Sequence, residues 1–172
     1  MAIGTGKKAV ERLTAVRDKL WPDAKHELWN PRSEKGFTTI PRTLPLLMRL
    51  LDTLVKGKDL SRVYLHLWSR SYTHGVVEVR DPGKFAYASS FKGIRSWRER
   101  VELLQNLGFI RTAPLGDIQH YYITVRHPDA VIQELERKGK LHDDSWLQMY
   151  ETELAEIGAT RWSKSDKKAA GG

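Results

Sequence analysis

Residues 93–112, GIRSWRERVELLQNLGFIRT, constrain the fold more than any other stretch of the chain. Ile94, Trp97, Val101 and Leu104 recur every three or four positions, which lines them along one stripe of a helix. Arg95, Arg98, Glu99 and Glu102 fall on the opposite side, the side a packed domain leaves to solvent or to a partner. Gly108 stands where a helix ends at least cost in left-handed backbone, and residues 109–112 read as a strand. The chain must therefore bury one face of this helix and turn sharply out of it into a sheet.

The flanking sequence supplies elements for it to pack against. Upstream, residues 6–20 show helical spacing, with Val10, Leu13, Val16 or Arg17, and Leu20 on one side and Lys7, Lys8, Arg12 and Lys19 on the other. Residues 37–40 form a short β-prone stretch before Pro41. Leu44, Leu47, Met48, Leu51 and Leu54 then make an apolar helical face that ends at Lys56-Gly57, and Pro45 belongs in its first turn. Asp59 has the right chemistry to cap a following helix, where Leu60, Val63, Leu67 and Ser71 share a face with Tyr64 and Trp68 beside them. Gly75 closes that helix, residues 76–79 are a brief strand, and Asp81-Pro82-Gly83 is turn chemistry. A short helix over residues 84–90 leads into the central helix.

Downstream, strands over residues 109–113 and 120–125 flank a turn at residues 114–119, with Tyr121, Ile123 and Val125 alternating as in a half-buried strand. Pro128 opens a helix to about Lys138. A last helix over residues 143–157 carries Trp146, Leu147, Tyr150, Leu154 and Ile157 on its apolar side, with Gly158 as its stop. The expected fold is α+β and mostly α, with a small three-stranded antiparallel sheet. An N-terminal helix and loop (residues 1–36) precede a main domain (residues 37–159), and a disordered basic tail (residues 160–172) follows it.

A length of 172 residues with 40% hydrophobic content suits one core. Zero cysteines exclude a disulfide framework and cysteine-rich zinc sites. No apolar run approaches the roughly 20 residues that span a bilayer, and no secretory leader is evident, so the expectation is a cytoplasmic protein. The net charge of +8 favours polyanions. Its distribution is uneven: residues 92–111 hold five Lys or Arg against two acids, whereas residues 112–159 hold four against nine. The acidic part is expected to face away from any phosphate backbone.

In order and spacing, residues 59–125 read helix, short strand, short helix, turn, long helix, strand, turn, strand. This resembles the winged helix-turn-helix superfamily of bacterial DNA-binding proteins, and the run from Val101 through Leu107-Gly108-Phe109 to Ile110 looks like the end of their recognition helix entering the first wing strand. The resemblance implies that the long helix lies in the major groove of double-stranded DNA while the wing rests on the adjacent backbone. Carried onto this chain, it makes Arg95, Ser96, Arg98 and Glu99 the base-reading candidates. Arginine matches guanine through a two-pronged donor, and glutamate can accept from cytosine. Lys92 is a phosphate candidate, as is Arg111 if it points outward. The turn at residues 114–119 offers no Lys or Arg and includes Asp117, so Gln119, His120 and backbone amides are its remaining donors.

A purely structural use of the same residues is open. Arg95 with Glu99, and Arg98 with Glu102, are four apart and could be ordinary surface ion pairs. Arg100 falls nearer the buried side and suits an intramolecular carboxylate. In the tail, Arg161, Trp162, Lys164, Lys167 and Lys168 mix an aromatic with cations, which can stack on bases while meeting phosphate, or can simply solubilise the end.

Enzymatic chemistry finds little footing. The six histidines show no metal-ligand spacing, His142-Asp143-Asp144 reads as a loop and helix cap, and no phosphate-binding glycine loop is present. No metal or cofactor is expected. The resemblance implies a sequence-specific transcriptional regulator acting as a homodimer. The alternatives are a replication or maintenance protein of a plasmid or other mobile element, and a winged-helix adaptor that binds another protein.

Overall fold

A computed structural model describes residues 7–20, 39–71, 76–115 and 117–163. Among them the chain forms seven helices and three strands: α1 (Lys7–Leu20), α2 (Leu44–Leu54), α3 (Leu60–Ser71), β1 (Val77–Val79), α4 (Pro82–Ala88), α5 (Ile94–Asn106), β2 (Ile110–Leu115), β3 (Asp117–Val125), α6 (Pro128–Arg137) and α7 (Asp144–Glu156). The fold is α+β and mostly helical. Its one sheet is antiparallel with the order β1-β3-β2, so the last strand in sequence is the central one.

Periodic apolar residues build the core as their spacing requires. Leu44, Leu47 and Leu51 of α2 and Leu60, Val63, Tyr64 and Leu67 of α3 are buried together with Trp97, Val101 and Leu104 of α5. The sheet presents Ile110 and Ile123 to the same core. Aromatic rings tie the layers: Tyr64 meets Phe109 edge-on at 5.9 Å, and Trp97 lies between Phe85 at 5.7 Å and Tyr121 at 6.2 Å. Helix α7 closes the far side by packing on α2, where the Trp146 indole N–H donates to the Leu46 carbonyl at 2.8 Å.

Several boundaries differ from the sequence reading. The short β-prone stretch falls partly outside the described residues, and Thr39 and Ile40 carry no strand. Asp59 does not hold the start of α3. It takes φ +48°, and the carboxylate of Asp52, one helix earlier, accepts from the Ser61 amide at 2.9 Å and the Ser61 hydroxyl at 2.7 Å. Asp81-Pro82-Gly83 is a helix start and not a turn: Asp81 accepts from the amides of Gly83 and Lys84, and Pro82 fills the first turn of α4. Gly75 lies outside the described residues. The β2–β3 pairing also runs past its expected end to Pro114↔Tyr121 and Leu115↔Asp117, with an irregularity between Pro114 and Leu115. Pro114 can sit in β2 because this strand is an edge, where a missing N–H costs least.

Residues 160–163 were expected to begin a disordered tail and instead lie against α6 and α7. The Arg161 guanidinium meets three carboxylates, Asp129 at 2.9 Å, Glu136 at 2.6 Å and Glu151 at 3.2 Å. Asp129 is buried, and it also accepts from the Trp162 amide and from Gln133 at 3.0 Å. Five polar contacts, the fifth from the Gln133 amide to the Trp162 carbonyl, hold a segment that has no apolar periodicity of its own. Among the described residues no helix is long and apolar enough to cross a membrane.

Candidate nucleic-acid interface

Helix α5 is positioned by its buried stripe. Trp97 and Leu104 are fully buried and Val101 nearly so, whereas Ile94 is 41% exposed at the helix start. The far end is fastened to the sheet, since the Gln105 side chain accepts from the Thr112 amide at 3.1 Å and from the Thr112 hydroxyl. Gly108, at φ +90°, turns the chain into β2. These contacts leave the row Lys92, Arg95, Arg98, Glu99 and Glu102 exposed, with Ser96 half-buried beside it.

The charges on that row are not paired as spacing suggested. Among the described residues neither Arg95 with Glu99 nor Arg98 with Glu102 closes to an ion pair. Glu99 turns instead to Lys58, in the loop before α3, and to Arg100 at 3.0 Å. The Lys58 hydrogen bond holds the Glu99 carboxyl below the usual carboxylate range, helped by the charges of Lys58, Arg100 and Arg95. Arg100 does take an intramolecular carboxylate. It also donates to the carbonyls of Lys58 and Ser96 at 2.9 Å each and lies 4.7 Å over the Phe91 ring. Arg98 lies close enough to the Tyr121 phenol on β3 to act on its titration. Burial pushes that phenol up to about 12, and the Arg98 contact pulls against the rise.

Lys92 and Arg95 are then the cations of the row without a hydrogen bond or ion pair among the described residues. They stand at the start of a helix that has no acidic residue in its first turn and no side-chain cap on Gly93. A helix start concentrates positive potential and presents free N–H groups. Acidic residues ordinarily occupy that turn; Arg95 within it and Lys92 just before the cap add to the positive potential and weaken the helix while favouring an incoming anion.

The remaining sequence candidates are dispersed. Arg111 is exposed, but its register opposite Thr124 places it on the sheet face away from the core, whereas its neighbour Thr112 is paired with buried Ile123 and tied to α5. It does not join Arg95. Gln119 and His120 lie on β3, with side chains outside the described set. Arg161 is committed to its carboxylates, and the Trp162 ring lies 5.9 Å from His127. Lys164, Lys167 and Lys168 lie outside the described residues. No family model, curated protein or solved structure matches the chain. Among the described residues no cluster of His, Asp or Glu is arranged to hold a metal ion.

Sequence reasoning missed Lys58 and Tyr121. Both touch the row from other elements, and no local pattern announces them.

Proposed function

We propose that this is a winged-helix protein that binds double-stranded DNA through the first outward turn of α5, as a bacterial transcriptional regulator. The observation that carries the reading is the unpaired Lys92 and Arg95 at an uncapped helix start, beside a Glu99 whose charge is answered by Lys58 and Arg100. An outward carboxylate next to a phosphate backbone would repel it, and these two partners offset that repulsion. The succession α3, α4, α5 and the β2–β3 hairpin, with β1 on the far edge of β3, supports the same reading.

Within it, Arg95 reads a base or holds a phosphate, and Lys92 meets backbone. Arg98 orients the helix on β3 through Tyr121 and keeps one side towards solvent. Two copies related by a two-fold axis would set two α5 helices on half-sites about one helical turn apart.

Fluorescence anisotropy with random-sequence duplex DNA across a salt series tests the proposal. Affinity is expected to fall steeply with salt, by roughly one power of concentration for each phosphate contacted. Replacing Arg95 by Ala should weaken binding about tenfold, and Lys92→Ala should flatten the salt slope by about one unit. Affinity independent of salt, or untouched by both substitutions, overturns it.

A further inference from the structure

A second group of cations lies on the opposite side of the sheet, outside the interface assigned to α5. A polar groove of about 840 Å³ runs between the outer face of the β2–β3 hairpin and α6. Arg111 stands on the strand wall, Arg137 on the helix wall, and Arg126 and His127 at the end where β3 passes into α6. Trp162 borders it from the C-terminal segment, its backbone fixed by the Asp129 carboxylate and by the Gln133 amide, which donates to the Trp162 carbonyl at 2.9 Å.

The three arginines are not equivalent. Arg126 is occupied: it donates to the Gly108 carbonyl at 2.9 Å and grips Glu134 through both terminal nitrogens at 3.1 and 2.6 Å. Glu134 is the one carboxylate among the described residues that line the groove, and this grip holds its pKa low. Arg137 spends only its Nε, on the Gln133 carbonyl at 3.3 Å, and Arg111 spends nothing on any described residue. Two exposed guanidinium forks thus border one concavity from opposite walls, with Glu134 already neutralised by Arg126. Beside them stands the Trp162 ring, on a segment whose backbone is held by Asp129 and Gln133 and 5.9 Å from the His127 ring.

We propose that this groove binds a nucleoside monophosphate. Arg111 and Arg137 take the phosphate in forked hydrogen bonds, and Trp162 supplies a face for the base. The volume falls in the range of sites that enclose molecules of this size. The face lies across the sheet from α5, so the ligand and a duplex on α5 are bound separately, and the proposal does not rest on the DNA reading.

Isothermal titration calorimetry of the full chain with AMP and with inorganic phosphate tests it. AMP is expected to bind at least about tenfold tighter than phosphate, since only AMP brings a stacking base. Arg111→Gln and Arg137→Gln should each weaken AMP by about tenfold or more, the loss of a forked charged contact. Arg49→Gln removes the same charge from the exposed side of α2 and should leave AMP binding unchanged. No heat with either probe at millimolar concentration overturns the proposal, as does an equal loss in Arg49→Gln. AMP binding no tighter than phosphate removes the role of Trp162 and refutes a nucleotide site. If Arg111→Gln and Arg137→Gln weaken duplex DNA and leave AMP unaltered, the groove is a nucleic-acid path and the proposal fails.

Discussion

His66 shows how one side chain carries the burial of its surroundings into solution behaviour. It sits on α3 with its ring 5.0 Å from Phe85, and its Nδ1 is buried without a hydrogen-bond partner. Burial first, and the charge of Arg70 second, lower its pKa from 6.5. In the unfolded chain the imidazole takes up its proton near pH 6.5, whereas in the fold it resists to lower pH. The unfolded state therefore binds more protons in that window, and stability falls as pH drops through about 6.5 towards the folded value. Urea midpoints at about pH 7.5 and 5.5 should fall further in the native chain than in His66→Gln. Equal falls in the two proteins would remove His66 as the cause. The residue scale also shows where reading by spacing stops. Arg95 and Glu99 are four apart on one helix, yet Glu99 finds Lys58, 41 positions away, because the loop before α3 is folded against α5.

At the scale of elements, the turn between α5 and β2 depends on Gly108. Its φ is +90°, and an added Cβ would come within 3.0 Å of the Arg126 guanidinium that donates to the Gly108 carbonyl. Gly57, at φ +76°, has open space around it. Alanine at Gly57 should cost about 1 kcal/mol of unfolding free energy for backbone strain alone. Alanine at Gly108 should cost about 2 kcal/mol, because Arg126 must also shift. Chemical denaturation of both variants checks this, and equal costs would mean that Arg126 moves aside freely. The apolar faces of α2, α3 and α5 were legible from spacing, because a helix in water must hide a continuous stripe. The caps were half legible. Asp143 caps the helix it precedes as its position suggested, whereas Asp81, which read as part of a turn, caps α4, and Asp52 substitutes for Asp59 from another helix. The length of the β2–β3 hairpin was not legible, since Pro114 argues against a strand unless the strand is known to be an edge.

Across the whole molecule, the C-terminal segment ties together helices that are distant in sequence. Arg161 joins Asp129 and Glu136 of α6 to Glu151 of α7, and Asp129 is nearly inaccessible to water. Removing the guanidinium leaves a buried carboxylate without its counter-charge, held by neutral donors alone: the Trp162 amide, the Gln133 side chain and the Tyr150 hydroxyl. Arg161→Ala should therefore destabilise the protein by about 3 kcal/mol, and Asp129→Asn in the same chain should recover part of that loss. Urea unfolding of the single and double variants tests both statements; additive losses would show that the pair is not coupled. The same segment holds Trp162 beside the groove, so Arg161→Ala is also expected to weaken AMP binding without altering DNA affinity.

The sequence by itself determined the order of helices and strands, the buried stripes of α2, α3 and α5 and the positions of the turns at Gly57, Gly108 and Gly158. Those follow from local rules: apolar periodicity must be buried, and left-handed backbone favours glycine. Only the tertiary structure decided which charges are spent. It bound Glu99 to Lys58 and Arg161 to three acids, turned Arg111 away from α5 towards Arg137, and left Lys92 and Arg95 open. The physical reason is that an ion pair forms wherever two long side chains meet in space, and that meeting is set by the packing of the apolar faces, which carries no trace in the charged residues themselves.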